Sequence, residues 1–171
     1  MSTNPTSPDS SSADALEIPA GFQPLPIGGF FATNNGPLYG RWHDDHLVMG
    51  LRIDARHLNP GNNCHGGMLA TFADILLSTS AQYQTDIPRQ FLPTINLQMD
   101  YMAGAPLGAW VEGLADILKV TKNLIFSQAL LTVDGAVIAR ASGVFRRGPL
   151  LPDSDSDTRL ALLGMKSFGP A

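Results

Sequence analysis

Residues 67–84 contain no proline, are rich in Ala, Leu, Met and Ile, and carry a single charged side chain, Asp74. Side chains of this kind lose little freedom in a helix. Met68, Leu69, Phe72, Ile75, Leu76 and Leu77 fall on nearly every face of that helix, which leaves no solvated stripe and places it inside the molecule. A chain built around one buried helix needs an extensive sheet to cover it.

The remaining sequence has the pattern of such a sheet. Leu38 to Trp42 and His46 to Ile53 read as strands joined by the polar turn His43-Asp44-Asp45. Asn59 to Cys64 is a loop before the helix. Strand patterns return at Phe91 to Tyr101, Leu107 to Val120, Leu124 to Val133 and Ala136 to Arg146, and Asp134-Gly135 between the last two is a hairpin turn, since glycine accepts positive φ. Two strands, one long helix and four strands predict an α+β fold: an antiparallel six-stranded sheet wrapped around one long central helix. Residues 1–20, rich in Ser, Thr, Pro and Asp, read as a disordered tail, 21–148 as one domain, and 149–171 as a mobile tail with a short apolar turn at Leu160 to Leu163.

Composition narrows the function classes. With 44% apolar and 15% charged residues the chain reads as a soluble globular protein, and no stretch approaches the roughly 18 apolar residues of a membrane span. Without a basic region and apolar run at its start it is expected in the cytoplasm. The one cysteine, Cys64, allows no intrachain disulfide and no multi-cysteine zinc site. The tails hold six of the fifteen acids and two of the eleven bases, which leaves nine of each in the body. A neutral body gives no footing for nucleic acid.

Asp74 is the residue that most needs explaining. A carboxylate on a buried helix costs several kcal/mol unless it is hydrogen-bonded or protonated. It is either a structural acid satisfied by neighbouring groups or a functional one. Just before the helix stand His65, Gly66 and Gly67, where two glycines allow close approach and the free N–H groups of a helix's first turn favour developing negative charge. Gly66 and Asp74 are eight residues apart, about 12 Å along a helix. One small reacting group cannot touch both. Two copies packed with antiparallel helices would bring Asp74 of one to Gly66 of the other, twice by symmetry.

The run Asn59-Pro60-Gly61-Asn62-Asn63-Cys64-His65-Gly66-Gly67, followed by Asp74 in an apolar helix, resembles the signature of the hotdog-fold acyl-CoA thioesterases of the phenylacetate-pathway (PaaI-like) type. The likeness extends from about Leu38 to Arg147. It implies hydrolysis of an acyl-CoA to a carboxylic acid and CoA by a homodimer or a tetramer of two dimers, without a metal or organic cofactor. It also implies that Asn59 and the Gly66 amide handle the thioester carbonyl, while Asp74 of the facing subunit activates water or attacks directly. Thr94 matches the hydroxyl residue, often serine, that assists the acid. Asn62 stands where the pattern commonly has glycine, and Cys64 where it is more often aliphatic.

Gly67, in the same first turn, and the basic residues Lys119, Lys122, Arg146 and Arg147 at strand ends are candidates for contacting substrate, the last four through the phosphates of CoA. Charges at strand ends also serve solubility. His43, Asp44, Asp45 and His46 have the chemistry of metal ligands, but a polar hairpin turn accounts for them. Cys64 beside His65 reads as packing rather than a thiol-imidazole pair. No nucleophile elbow, phosphate loop or dinucleotide fingerprint is present. Two other readings stay open: a hotdog enoyl-thioester hydratase or dehydratase with His65 as base, and a non-catalytic acyl-CoA-binding module.

Overall fold

The computed structural model describes residues 17–27 and 29–151. The tail expectations for residues 1–16 and 152–171, including the apolar turn at Leu160 to Leu163, lie outside the described residues.

The proline-free segment forms one helix, α2 (Gly66–Gln84), capped by His65 and ended by the extended backbone of Thr85. Among the described residues the strands are β1 (Gln23–Pro24), β2 (Leu38–His43), β3 (His46–Arg52), β4 (Thr94–Tyr101), β5 (Trp110–Val120), β6 (Leu124–Val133) and β7 (Ala136–Arg146). They form one antiparallel sheet in the order β1-β2-β3-β5-β6-β7-β4. The sheet curls around α2, and the core fills the space between them.

The sheet has seven strands, where the pattern predicts six. The extra one, β1, is two residues long and half proline, too short for any alternation, and it extends the edge beside β2. The expected single helix also has a companion, α1 (Gly29–Asn35). None of its residues is buried, so no apolar periodicity announces it. His43 pairs with His46 inside the ladder, which shortens the expected turn to Asp44-Asp45. β4 begins at Thr94 rather than Phe91, because Pro93 has no N–H for a ladder and the Phe91 N–H donates to Pro149 O instead. β5 begins at Trp110 rather than Leu107, after a turn with Gly108 at φ 80°.

α2 is not buried all round. Met68, Leu69, Phe72, Leu76 and Leu77 pack on the sheet, whereas Asp74, Ile75, Ser78 and Gln82 lie half-exposed on the opposite side. That second face is mixed in character, and it becomes the floor of a cleft.

Close seating of α2 depends on Gly113, in the middle of β5. A methyl group there would overlap Leu76 Cδ2 and press on Leu131 Cδ2 at 3.0 Å and Phe72 Cε1 at 3.1 Å. All three of those side chains are fully buried, so they have little room to yield. Gly113→Ala is expected to lower stability by about 1–3 kcal/mol, read as a fall of several degrees in Tm. An unchanged Tm would show that the helix can retreat without cost.

Candidate active site

The loop leading into α2 is organised by Asn59. Its side-chain Oδ1 accepts the N–H groups of Gly61 at 2.8 Å and Asn63 at 3.3 Å, while its own N–H donates to Asn63 O at 2.8 Å. Because Oδ1 is committed twice, the amide orientation is fixed and Nδ2 is the donor that remains. Asn62 has φ 58°, a left-handed backbone that asparagine tolerates, so its departure from glycine keeps the turn. Cys64 is buried in the core, and burial pushes its thiol up to about 11. Its Sγ–H points at the His65 carbonyl at 3.7 Å, not at the imidazole.

His65 caps the helix. Its N–H donates to His57 O at 2.7 Å, and its Nδ1 accepts the Gly67 N–H at 2.9 Å. The cap uses the Gly67 amide, so among the described residues only the Gly66 amide of this glycine pair is without an acceptor in its own chain. On the other side, Gly66 O accepts the Tyr101 hydroxyl at 2.8 Å. The Tyr101 ring would lie 3.3 Å from a Cβ at position 66, a tight contact that the ring would have to relieve by moving a few tenths of an ångström. Burial raises the Tyr101 phenol above its ordinary pKa, with Cys64 adding to the shift, and so keeps it a donor. Tyr101 was not singled out in the sequence; its side chain is more than half exposed and gives no pattern.

Two turns further along α2, Asp74 is half-buried and its Oδ1 accepts the Thr94 Oγ1–H at 2.7 Å. Thr94 is the first residue of β4, paired with Phe145 of β7, and the preceding Pro93 O accepts the Arg146 N–H at 2.9 Å. These two residues stand at one end of a cleft of about 470 Å³ floored by the open face of α2. Gly66 stays at the opposite end of β4, beside Tyr101. The structure therefore joins Asp74 with Thr94 in one chain and keeps both from Asn59 and Gly66.

The four basic residues lie at the end of the sheet where β4 begins. Lys119 and Lys122 are exposed around the β5–β6 hairpin, and the Arg147 N–H donates to Asn123 O within it. Arg147 Nη1 donates to Thr121 O at 3.2 Å, and Arg146 pairs with Leu124. They occupy the same end of the sheet as Thr94. His43 and His46 face each other across the β2–β3 hairpin, and among the described residues no three His, Cys, Asp or Glu side chains converge as metal ligands.

His57, which is 3% exposed, is not among the residues that the sequence patterns single out. Its Nδ1 accepts the Asp54 N–H at 3.1 Å, and its Nε2–H donates to Asn35 O at 3.1 Å. One nitrogen accepts and the other donates, so the site holds a neutral ring. The capping spacing Asp54-x-x-His57 was the signal available, with histidine in the place usual for Glu or Gln. Burial, helped by Arg56, lowers the His57 pKa from 6.5. The unfolded chain then binds more protons below that value, so the contribution is complete above pH 6.5 and is lost as pH falls toward the folded pKa. The parent is expected to lose more stability to urea between pH 7.5 and pH 5.5 than His57→Gln does; equal losses would remove His57 from the acid response.

Comparison with known proteins meets this geometry. The family model described as "Thioesterase superfamily" matches residues 61–138. A Pseudomonas aeruginosa protein named "Putative esterase PA0474" is 34% identical over 131 residues, 76% of this chain and 97% of the relative. Mouse acyl-coenzyme A thioesterase 13 is 32% identical over 98 residues, 55% of this chain and 67% of the relative. The Escherichia coli PaaI protein from the phenylacetic acid degradation operon shares the fold at a TM-score of 0.63 and 16% identity, over 72% of this chain and 89% of that one. With its antiparallel sheet, central helix and Gly66 turn inside the matched region or beside it, the chain belongs to the thioesterase superfamily of hotdog-fold thioester hydrolases.

Proposed function

We propose that the protein hydrolyses acyl-CoA thioesters at sites shared between two copies of the chain. The observation that carries this reading is the Asp74–Thr94 hydrogen bond at the end of a cleft of mixed lining, with the Gly66 amide about 12 Å away along the same helix. A facing copy with an antiparallel α2 supplies the missing amide. The Thr94 hydroxyl holds Oδ1 of Asp74 and leaves Oδ2 to act. As general base, Asp74 takes a proton from water while the water oxygen bonds to the thioester carbon; as nucleophile, Oδ2 itself forms that bond and water then cleaves the anhydride. In either course the carbonyl oxygen gains charge against the partner's Gly66 N–H and Asn59 Nδ2. Such a donor contributes about 3–4 kcal/mol to other acyl-transfer enzymes. Collapse breaks the C–S bond, and the CoA thiolate leaves and takes up a proton.

Lys119, Lys122, Arg146 and Arg147 flank this end of the sheet and suit the phosphates of CoA. The chemistry calls on no metal or organic cofactor. A hydratase reading would need His65 as the base, yet its Nδ1 is occupied by the Gly67 N–H and its Nε2 then carries the proton. A pure binding module would leave the Asp74–Thr94 pair without a use.

Free-thiol release from a panel of acyl-CoAs, with light scattering to give the assembly state, tests the reading. Thiol release by a dimer or by a tetramer of two dimers is expected. A folded protein that releases no thiol from any of them, or a strictly monomeric active protein, would overturn it.

A further inference from the structure

The cleft at Asp74 has a wall that the proposed chemistry does not use. Its floor is α2 through Ile75 and Ser78, one side is the loop bearing Phe91 and Leu92, and the other is α1 through Phe31 and Ala32. A seven-residue helix is too short to hold together alone, and α1 has no buried residue to anchor it. Phe30 is 90% exposed and Phe31 65% exposed.

What fixes α1 is a clasp on its last carbonyls, the groups a helix end leaves without partners. Arg56 donates from Nη1 to Asn34 O at 3.1 Å and from Nη2 to Gly36 O at 2.5 Å. His57 Nε2–H donates to the carbonyl between them, Asn35 O, at 3.1 Å. Both residues belong to the short 3-10 turn Ala55–His57, and His57 also receives the His65 N–H at the start of α2. The clasp therefore ties the wall of the cleft to the base of the helix that carries Asp74. A phenylalanine held this way, beside the proposed catalytic acid and still largely exposed, has surface left to bury against an occupant.

We propose that α1 is the specificity-determining wall of the acyl site: Phe31 packs on the acyl group, and Arg56 and His57 position α1 for that contact. The inference rests on the acyl-CoA reading above. It names the substrate class as thioesters of acyl groups with an apolar segment beyond the carbonyl, alkyl or aryl, because Phe31, Phe91, Ile75 and Leu92 give the cleft apolar surface beside the polar Gln82 and Arg89. Acetyl, with no chain beyond its methyl group, offers Phe31 the least surface to cover.

The test compares kcat and KM for acetyl-, hexanoyl-, decanoyl- and phenylacetyl-CoA in the parent, Phe31→Ala, Arg56→Ala and Arg56→Lys. Losing a phenylalanine's apolar surface corresponds to about a tenfold or greater drop in affinity. Phe31→Ala should therefore raise KM for decanoyl- and phenylacetyl-CoA by about tenfold and change acetyl-CoA far less. Arg56→Ala should shift KM in the same direction, and Arg56→Lys should recover part of it, with kcat unmoved in both. A selectivity profile unchanged by Phe31→Ala, or an equal fall in kcat for every substrate, overturns the inference. Decanoate supplies a readout without turnover: on saturation, hydrogen exchange at amides 29–35 should slow in the parent and not in Phe31→Ala. Absence of slowing in the parent overturns the wall on its own. Slowing in a parent that releases no thiol would support the wall and reject the acyl-CoA reaction.

Discussion

Asp74→Asn is expected to lower kcat for thiol release by about a thousandfold or more while leaving the fold intact, since removing a positioned base elsewhere costs 10²–10⁴. Asparagine keeps the shape and one of the two oxygens. Its Oδ1 can still accept the Thr94 hydroxyl, now 2.7 Å from Asp74 Oδ1, and its shape matches the half-buried site. What disappears is the charge and the second oxygen that would take a proton or attack. A near-native melting curve together with lost turnover separates chemistry from stability. A variant as active as the parent would remove Asp74 from the mechanism.

The second large effect concerns a site divided between subunits. Asp74→Asn and Asn59→Asp should each be nearly inactive alone, and activity should return when they are dissociated and reassociated together. Asn59→Asp is chosen because the loop depends on Oδ1, which accepts the Gly61 and Asn63 N–H groups; aspartate keeps that oxygen, and in place of the Nδ2 donor it puts a charged acceptor that repels the developing oxyanion. In a mixed dimer one site inherits both defects and the other neither. Random reassociation makes half the dimers mixed, so recovery should approach about a quarter of parental activity. No recovery, with mixed dimers confirmed by mass spectrometry, would mean that each chain works alone.

Some of this architecture is legible in the sequence alone. β6 and β7 match their expected limits because Asp134-Gly135 punctuates two long alternating runs, and α2 differs by one residue because two glycines and His65 mark its start. The Asp74–Thr94 pair follows from the resemblance to the hotdog thioesterases, since nothing local links residues twenty apart in different elements. Other features leave no local trace. β1 is too short for a period, α1 has no buried face, and the joining of β3 to β5 and of β7 to β4 is decided by packing around α2. Asp74 looked like a fully buried acid because its helix neighbours are apolar. The cleft, a tertiary feature, opens that face.

The position of β4 has a consequence for the order in which the protein can mature. β4 follows α2 in the chain, yet its ladder partner is β7, the last strand in the sheet order before it. Until the residues through Arg146 have been synthesised, Thr94 has no strand to lie against. α2 and the hairpin β2–β3 can form early from nearby contacts, whereas the Thr94–Asp74 bond waits for a pairing that spans some forty to fifty residues. A chain truncated before β7 would carry Asn59, Gly66, Asp74 and Thr94, the groups assigned to the reacting carbonyl, and still have no assembled site. Thioesterase competence is thus acquired in one step, when β7 becomes available, not built up along the chain.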